Sequence, residues 1–258
     1  MQKRPKLEDL HTIALNVGEV ILEGYYRDIH IQTKGNLDLV TEIDHKVEKI
    51  AIEYLRSFFP HDMIITEESG EIGSHSTGIW YMDPLDGTIN YAHKNPFFSF
   101  SLGYVINGVP TLGVIYDPLR KELFSAELGK GAFLNEQKIS VSKHKHFNEC
   151  LLVNEFSNHP LSYDKTLADI RQINQHVQGI RRPGSCALDL CYVAAGRYDG
   201  FWTRYASAWD FAGGSIICQE AGAKVTTVQG TANFLNPPCS ILAAPHEIHQ
   251  ALLNVLNP

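Results

Sequence analysis

The stretch Trp80-Tyr81-Met82-Asp83-Pro84-Leu85-Asp86-Gly87-Thr88 places two carboxylates three residues apart at the end of an apolar run. Residues 78–82 read as a short buried strand, Pro84 stiffens the turn that follows, and Gly87 permits a tight backbone there. The amides after Gly87 can then face an anion at a helix start. Asp-Pro and Asp-Gly are also common turn dipeptides, so a purely structural turn is the plain alternative for the string alone.

On either side of this stretch, carboxylates recur at the ends of elements. Residues 63–66 read as a second short buried strand, ending at Glu67 and Glu68. Before them, Val47, Ile50, Ala51, Tyr54, Leu55 and Phe58 have helical spacing, Thr41 and Asp44 have capping-box spacing, and Pro60 ends the helix. Asp44 thus stands in a first helical turn, where a capping or dipole role is the plain alternative. Far downstream, Asp210 opens a helix after Trp209 and could be simply its N-cap. Four element ends presenting carboxylates suggest one convergent cluster. Such a cluster repels itself unless cations neutralise it, and hard divalent ions that take oxygen ligands, above all Mg²⁺, suit it. Two such ions near a helix start describe a phosphoryl-transfer site.

The remaining segments divide the chain in two. Leu10, Ile13, Ala14, Val17, Val20 and Ile21 mark a first helix. Residues 98–106 and 111–116 flank Asn107-Gly108, a strong hairpin signal, with a further strand at 123–126 and a turn and short strand at 129–135. After about residue 145, strands (151–156, 179–182, 200–202, 224–228) alternate with helices (167–176, 185–195, 210–220). We therefore expect an N-terminal α+β half over 1–145, with an antiparallel sheet and the metal site. An α/β half over 146–258 would contribute Asp210 and the substrate pocket.

Composition narrows the function further. Of 258 residues, 44% are apolar and 20% charged, which excludes a disordered chain. The 22 Lys and Arg against 29 Asp and Glu give a net charge of −7, which argues against nucleic-acid polymers as partners. No segment approaches the roughly 20 apolar residues of a membrane span. Lys3, Arg4 and Lys6 are followed at once by Glu8 and Asp9, so no signal-peptide core is present and a cytoplasmic protein is expected. Five cysteines without a C-x-x-C pair read as packing thiols, and the histidines form no H-E-x-x-H motif.

At this point the sequence resembles the inositol monophosphatase family of Mg²⁺-dependent, lithium-sensitive phosphatases. The resemblance rests on Leu39-Val40-Thr41-Glu42-Ile43-Asp44, Thr66-Glu67-Glu68-Ser69, Asp83-Pro84-Leu85-Asp86-Gly87-Thr88 and Trp209-Asp210-Phe211-Ala212-Gly213. Gly113-Val114-Ile115-Tyr116-Asp117-Pro118, Gly129-Lys130-Gly131-Ala132-Phe133 and Gly184-Ser185 add to it, and the pieces occur in family order. It implies a layered αβαβα sandwich shared with fructose-1,6-bisphosphatase, a homodimer, and two or three Mg²⁺ ions per site. Glu67, Asp83 and the Leu85 carbonyl would hold the first ion, and Asp83, Asp86 and Asp210 the second. Asp44, hydrogen-bonded to Thr88, would orient the attacking water, and Glu67 would help a third, weaker ion carry it. The amides of Gly87, Thr88 and Ile89 would cradle the phosphate, with Gly184 and Ser185 nearby. Glu68 is expected at the surface or behind the ligands.

Two rivals remain. Leu85-Asp86-Gly87-Thr88 resembles half of a haloacid-dehalogenase signature, but position 84 is proline where that chemistry needs a nucleophilic aspartate. A non-catalytic binding protein would be favoured by a lost ligand, and each implied position carries the expected residue type. The substrate is less settled. Thr203 stands where inositol-specific members place a glutamate that binds sugar hydroxyls, so related sugar phosphates, fructose 1,6-bisphosphate, 3′-phosphoadenosine nucleotides and histidinol phosphate stay open. Arg204 would grip a second phosphate if its guanidinium turned inward, and would be a solvated surface residue otherwise.

Overall fold

The computed structural model describes residues 4–34, 38–74, 76–156 and 163–257. The first half runs α1 (Leu7–Tyr25), β1 (Ile31–Lys34), β2 (Asp38–Thr41), α2 (Glu42–Phe58), β3 (Met63–Thr66), β4 (Gly70–Ile72), β5 (Gly78–Asp86) and α3 (Thr88–Ala92). It continues through β6 (Ser99–Ile106), β7 (Val109–Asp117), β8 (Glu122–Glu127), β9 (Gly131–Leu134) and β10 (Gln137–Lys138). Strands β3 to β10 form an eight-stranded sheet in the order β10-β9-β8-β7-β6-β5-β3-β4. Only the β3–β5 pair in it is parallel. The second half runs β11 (Leu151–Asn154), α4 (Tyr163–Ile173), β12 (Gly179–Arg181), α5 (Cys186–Ala194), β13 (Gly200–Thr203), α6 (Ala208–Glu220), β14 (Lys224–Thr226), β15 (Ile241–Ala244) and α7 (His246–Leu256). Its five strands form a mixed sheet in the order β12-β11-β13-β15-β14.

Three apolar cores stack these elements into five layers, the αβαβα sandwich expected from the sequence. The stripe Leu10, Ile13, Val17 and Ile21 of α1 joins Val47, Ala51 and Leu55 of α2 against Trp80, Met82, Phe100 and Leu102 on one face of the large sheet. Between the sheets, Leu188 and Leu190 of α5 and Ile216 and Ile217 of α6 pack on Ile115 and Phe124 below and on Val153, Phe201 and Ile241 above. Ile173 of α4 and Ile248, Leu252 and Leu256 of α7 cover Leu152, Trp202 and Leu242 on the outer face. Successive residues of β11, β13 and β15 thus enter opposite cores, which is why these strands are apolar throughout. All five cysteines are buried free thiols, in keeping with a packing role.

Helix α6 approaches the large sheet closely because three glycines meet there. A Cβ on Gly103 would lie 2.6 Å from the Gly213 nitrogen, and one on Gly113 would lie 2.4 Å from the Gly213 oxygen and 2.5 Å from Ile216 Cγ2. Gly113→Val should therefore push α6 off the sheet and destabilise the protein by about 2–3 kcal/mol. A lowered urea midpoint with activity lost in parallel checks this, and an unchanged midpoint would contradict the close seat.

Several elements differ from the sequence expectation. The strand expected to stop at Met82 continues to Asp86, with its register against β6 shifted between Asp83 and Asp86. Asp210 is not the N-cap of α6: Ser207 is, and Asp210 is the third helical residue, completing a capping box. The helix expected at 167–176 is α4, beginning at Tyr163, and β15 and α7 lie beyond the last expected strand.

Candidate active site

The parallel pair β3–β5 ends side by side, with Thr66 opposite Met82, so Glu67 emerges next to Asp83. The Glu67 amide donates to the Met82 carbonyl at 3.3 Å. On a regular strand, Asp83 and Asp86 would point to opposite faces, since side chains alternate. The bulge removes that conflict: the step from Asp83 to Asp86 on β5 spans only Ser101 to Ser99 on β6. Pro84, which has no amide hydrogen, sits within the bulge. Both carboxylates then line one cleft of about 200 Å³ with Asp38, Glu67, Leu85, Gly87, Thr88, Ile89, Glu155, Gly184, Cys186 and Asp210.

Local bonds orient each group. Asp83 accepts from the Leu85 amide at 3.0 Å. Asp86 sits at the start of α5, accepting from the Cys186 amide at 3.2 Å, the Ala187 amide at 2.8 Å and the Ser185 hydroxyl. Asp210 accepts from the Ser207 amide at 2.7 Å. Gly87, at φ +90, turns the chain from β5 into α3, and a Cβ there would lie 3.0 Å from the Phe97 carbonyl oxygen. Asp44 is fully buried at the start of α2. Its Oδ2 accepts from the Thr41 amide at 2.9 Å, and its Oδ1 from the Thr88 hydroxyl at 3.1 Å. The same hydroxyl lies 2.9 Å from the Leu85 carbonyl, linking Asp44 to the cleft wall.

Burial dominates the electrostatics. It raises Asp83 and Asp210 well above the carboxylate range, and neighbouring carboxylates add to the effect in both cases. Asp86 is pushed up to about 7 by burial against the opposing pull of Ser185 and the α5 amides. Glu67 also rises to about 7, again through burial, with Lys34 opposing. Asp44 is raised by burial despite its bonds to Thr41.

This sets a pH dependence. With a folded pKa above the unfolded one, the folded protein holds protons that the unfolded chain has released. Asp86 and Glu67 therefore make stability fall as pH rises from their ordinary 3.8 and 4.5 to about 7, and contribute no further slope above that. In chelator, urea unfolding between pH 5 and pH 8 should show this fall, and Asp86→Asn should flatten it. An equal slope in that variant would contradict the Asp86 shift.

Other sequence expectations are corrected. Of the two places expected for Glu68, the structure gives the one behind Glu67 and not the surface: its side chain is 4% exposed and bonds to the Lys34 ammonium, which also lies 3.3 Å from Glu67. Ser185 does not line the cleft but holds Asp86. Thr203 and Arg204 do not line it either. The Thr203 hydroxyl donates to the Tyr205 carbonyl at 3.1 Å. Arg204 is neither turned into the cleft nor solvated: its guanidinium binds both oxygens of Asp169 and the Leu256 carbonyl. Asp38, Glu155 and Lys34 are site residues that sequence reasoning missed. Asp38 and Lys34 lie on a short, mostly exposed antiparallel strand pair with no alternation to signal it, and Glu155 follows an ordinary buried strand.

A sequence profile described as the inositol monophosphatase family matches residues 4–257. The chain belongs to the inositol monophosphatase family. It is 40% identical over 251 residues to inositol monophosphatase 3 of Solanum lycopersicum, covering 95% of this chain and 93% of that protein. It is 38% identical over 261 residues to the protein named Nus factor SuhB of Pasteurella multocida, covering 98% and 96%. The crystal structure of the extragenic suppressor protein suhB from Bartonella henselae superposes with a TM-score of 0.92 at 36% identity, over 97% of each chain. Among the described residues no helix is long and apolar enough to cross a membrane.

Among the described residues, no group of three or more His, Cys, Asp or Glu side chains is set to hold a metal ion as it stands. Three of the carboxylates are instead held by protein donors, Glu67 by Lys34, Asp86 by Ser185 and the α5 amides, and Asp210 by Ser207, while Glu155 Oε2 is buried without a partner. The donor set nonetheless fits hard cations. Six carboxylates line one cleft, and burial makes the charge of Asp83, Asp86 and Asp210 costly without a counterion.

Proposed function

We propose that this chain is a Mg²⁺-dependent phosphomonoesterase acting on inositol monophosphate and related sugar phosphates. Membership of the inositol monophosphatase family supports a phosphatase of this superfamily. The observation that carries the reading is the β5 bulge, which turns Asp83 and Asp86 into one cleft with Glu67 and Asp210, beside the Thr88–Asp44 pair.

Glu67, Asp83 and the Leu85 carbonyl would hold one Mg²⁺, and Asp83, Asp86 and Asp210 a second. Bound Mg²⁺ supplies charge neutralisation to the phosphoryl oxygens and a more acidic water. The chain's own residues do the rest. Asp44 Oδ1 takes up the proton of the attacking water through the Thr88 hydroxyl, and the proton then passes to the departing alkoxide oxygen, so that the alcohol leaves neutral. The Gly87, Thr88 and Ile89 amides face the phosphate oxygens, whose charge spreads during transfer.

No carboxylate at position 203 is available for sugar hydroxyls, and Arg204 is occupied by Asp169. We therefore assign a broad sugar-phosphate preference, with no grip on a second phosphate from Arg204. Fructose 1,6-bisphosphate and 3′-phosphoadenosine nucleotides are the alternatives within the superfamily. Phosphate release from a panel of these esters with Mg²⁺ tests the reading. Comparable turnover of several sugar monophosphates is expected. A hundredfold preference for inositol 1-phosphate over all others would defeat the Thr203 argument.

The name Nus factor carried by the Pasteurella multocida relative favours a second reading, in which the same fold serves as a Nus factor. A folded protein that binds Mg²⁺ yet hydrolyses none of the panel would favour it.

A further inference from the structure

Glu48 lies one helical turn beyond Asp44 on α2 and is only 4% exposed. Its Oε1 accepts from the Thr66 hydroxyl, from the Glu68 amide at 3.2 Å and from the Ser69 amide at 3.1 Å. Its Oε2 accepts from the Ser69 hydroxyl at 2.6 Å. All four donors are neutral, and they come from residues on both sides of Glu67 in the chain. A buried carboxylate is costly to keep, and a site that supplies four donors to it is built to hold it there.

We infer that Glu48 is a positioning residue that clamps the Thr66–Ser69 turn and so fixes where Glu67 enters the cleft. The geometry makes α2 a ruler. Its first turn holds Asp44 against Thr88, and its second grips the turn that carries Glu67, so the water-orienting carboxylate and the ligand carboxylate are set from one rigid helix. A carboxylate suits the task because its two oxygens can accept all four bonds with no donor of its own to clash. The inference rests on the reading above, in which Glu67 holds an ion.

The test is Mn²⁺ binding to the substrate-free protein, followed by electron paramagnetic resonance, for wild type, Glu48→Ala, Glu48→Gln and Glu67→Gln, with folding checked by near-UV circular dichroism. Residues that orient a ligand typically cost about 10–100-fold in metal affinity when removed, and Glu48→Ala should weaken one Mn²⁺ by that order. Glu48→Gln should stay within a few-fold of wild type. Its amide oxygen can keep the three Oε1 bonds, and the Ser69 hydroxyl can turn to accept from the amide nitrogen. A folded Glu48→Ala that binds Mn²⁺ like wild type, beside a Glu67→Gln that has lost an ion, overturns the positioning role alone. Wild-type binding by Glu67→Gln as well overturns the ligand assignment beneath it. Should Glu48→Ala not fold, the double variant Thr66→Val, Ser69→Ala removes both hydroxyl donors. Weakened Mn²⁺ binding is then expected, and unchanged binding overturns the inference.

Discussion

Asp86→Asn and Asp210→Asn are each expected to lower kcat by about 10²–10³-fold, the order lost when one electrostatic contact to a developing charge is removed. At 210 the asparagine oxygen can still accept from the Ser207 amide. At 86 the Cys186 and Ala187 amides bond to different carboxylate oxygens, so the single asparagine oxygen keeps the Ala187 amide and leaves the Cys186 amide facing the side-chain NH2. What disappears is negative charge that burial and neighbouring carboxylates already disfavour. Unfolding of Asp210→Asn in chelator should therefore be no easier than that of wild type, and harder near neutral pH, whereas the lost amide bond offsets part of that gain in Asp86→Asn. Steady-state kinetics paired with urea unfolding checks both halves. A variant that keeps wild-type kcat would remove its residue from the proposed second ion.

Thr88→Ala should be at least as severe, lowering kcat by about 10²–10⁴-fold, the usual worth of general acid–base assistance. The Thr88 hydroxyl is the link between Asp44 and the cleft, so its loss leaves Asp44 bonded to Thr41 but cut off from the substrate side. KM and Mn²⁺ affinity should change little, since the amide at 88 and the ion ligands remain. Thr88→Ser should recover most of the rate because it restores the hydroxyl. If Thr88→Ala instead raised KM with kcat intact, Thr88 would be a binding residue and not part of the proton path.

Much of the site was legible because its carboxylates stand at punctuated positions. The Thr41–Asp44 spacing announces the start of α2, and the structure adds the reciprocal bonds. Asp83, Asp86 and Thr88 surround Pro84 and Gly87, residues whose backbone restrictions mark a turn whatever its role. Apolar spacing in α1 and α2, the Asn107-Gly108 hairpin and the later alternation of strand and helix announce the two halves, while the five-layer sandwich was implied by the family resemblance.

The rest depended on contacts between distant parts of the chain. Pro84 reads locally as the end of a strand, and only pairing with β6 shows that β5 continues through a bulge. Glu48 stands among charged neighbours on a helix that looks solvated on that face, and its partners lie 18 to 21 residues away. Arg204 is taken up by Asp169, 35 residues earlier, and by the Leu256 carbonyl, 52 residues later. No local pattern reveals such a pair, so the choice between an inward and a solvated guanidinium had no basis in sequence, and neither description was right. Lys34 was hidden for a similar reason, because the mostly exposed strand β1 carries no periodicity to place its ammonium beside Glu67 and Glu68.

The most direct measurement is phosphate release from inositol 1-phosphate by protein stripped with chelator and then titrated with Mg²⁺. The carboxylate cleft predicts no turnover in excess chelator and a rate that rises with Mg²⁺ to a plateau. Asp86→Asn should need more Mg²⁺ and reach only a small fraction of that plateau. Hydrolysis that persists undiminished in excess chelator would contradict the assignment of Glu67, Asp83, Asp86 and Asp210 as an ion-dependent phosphatase centre.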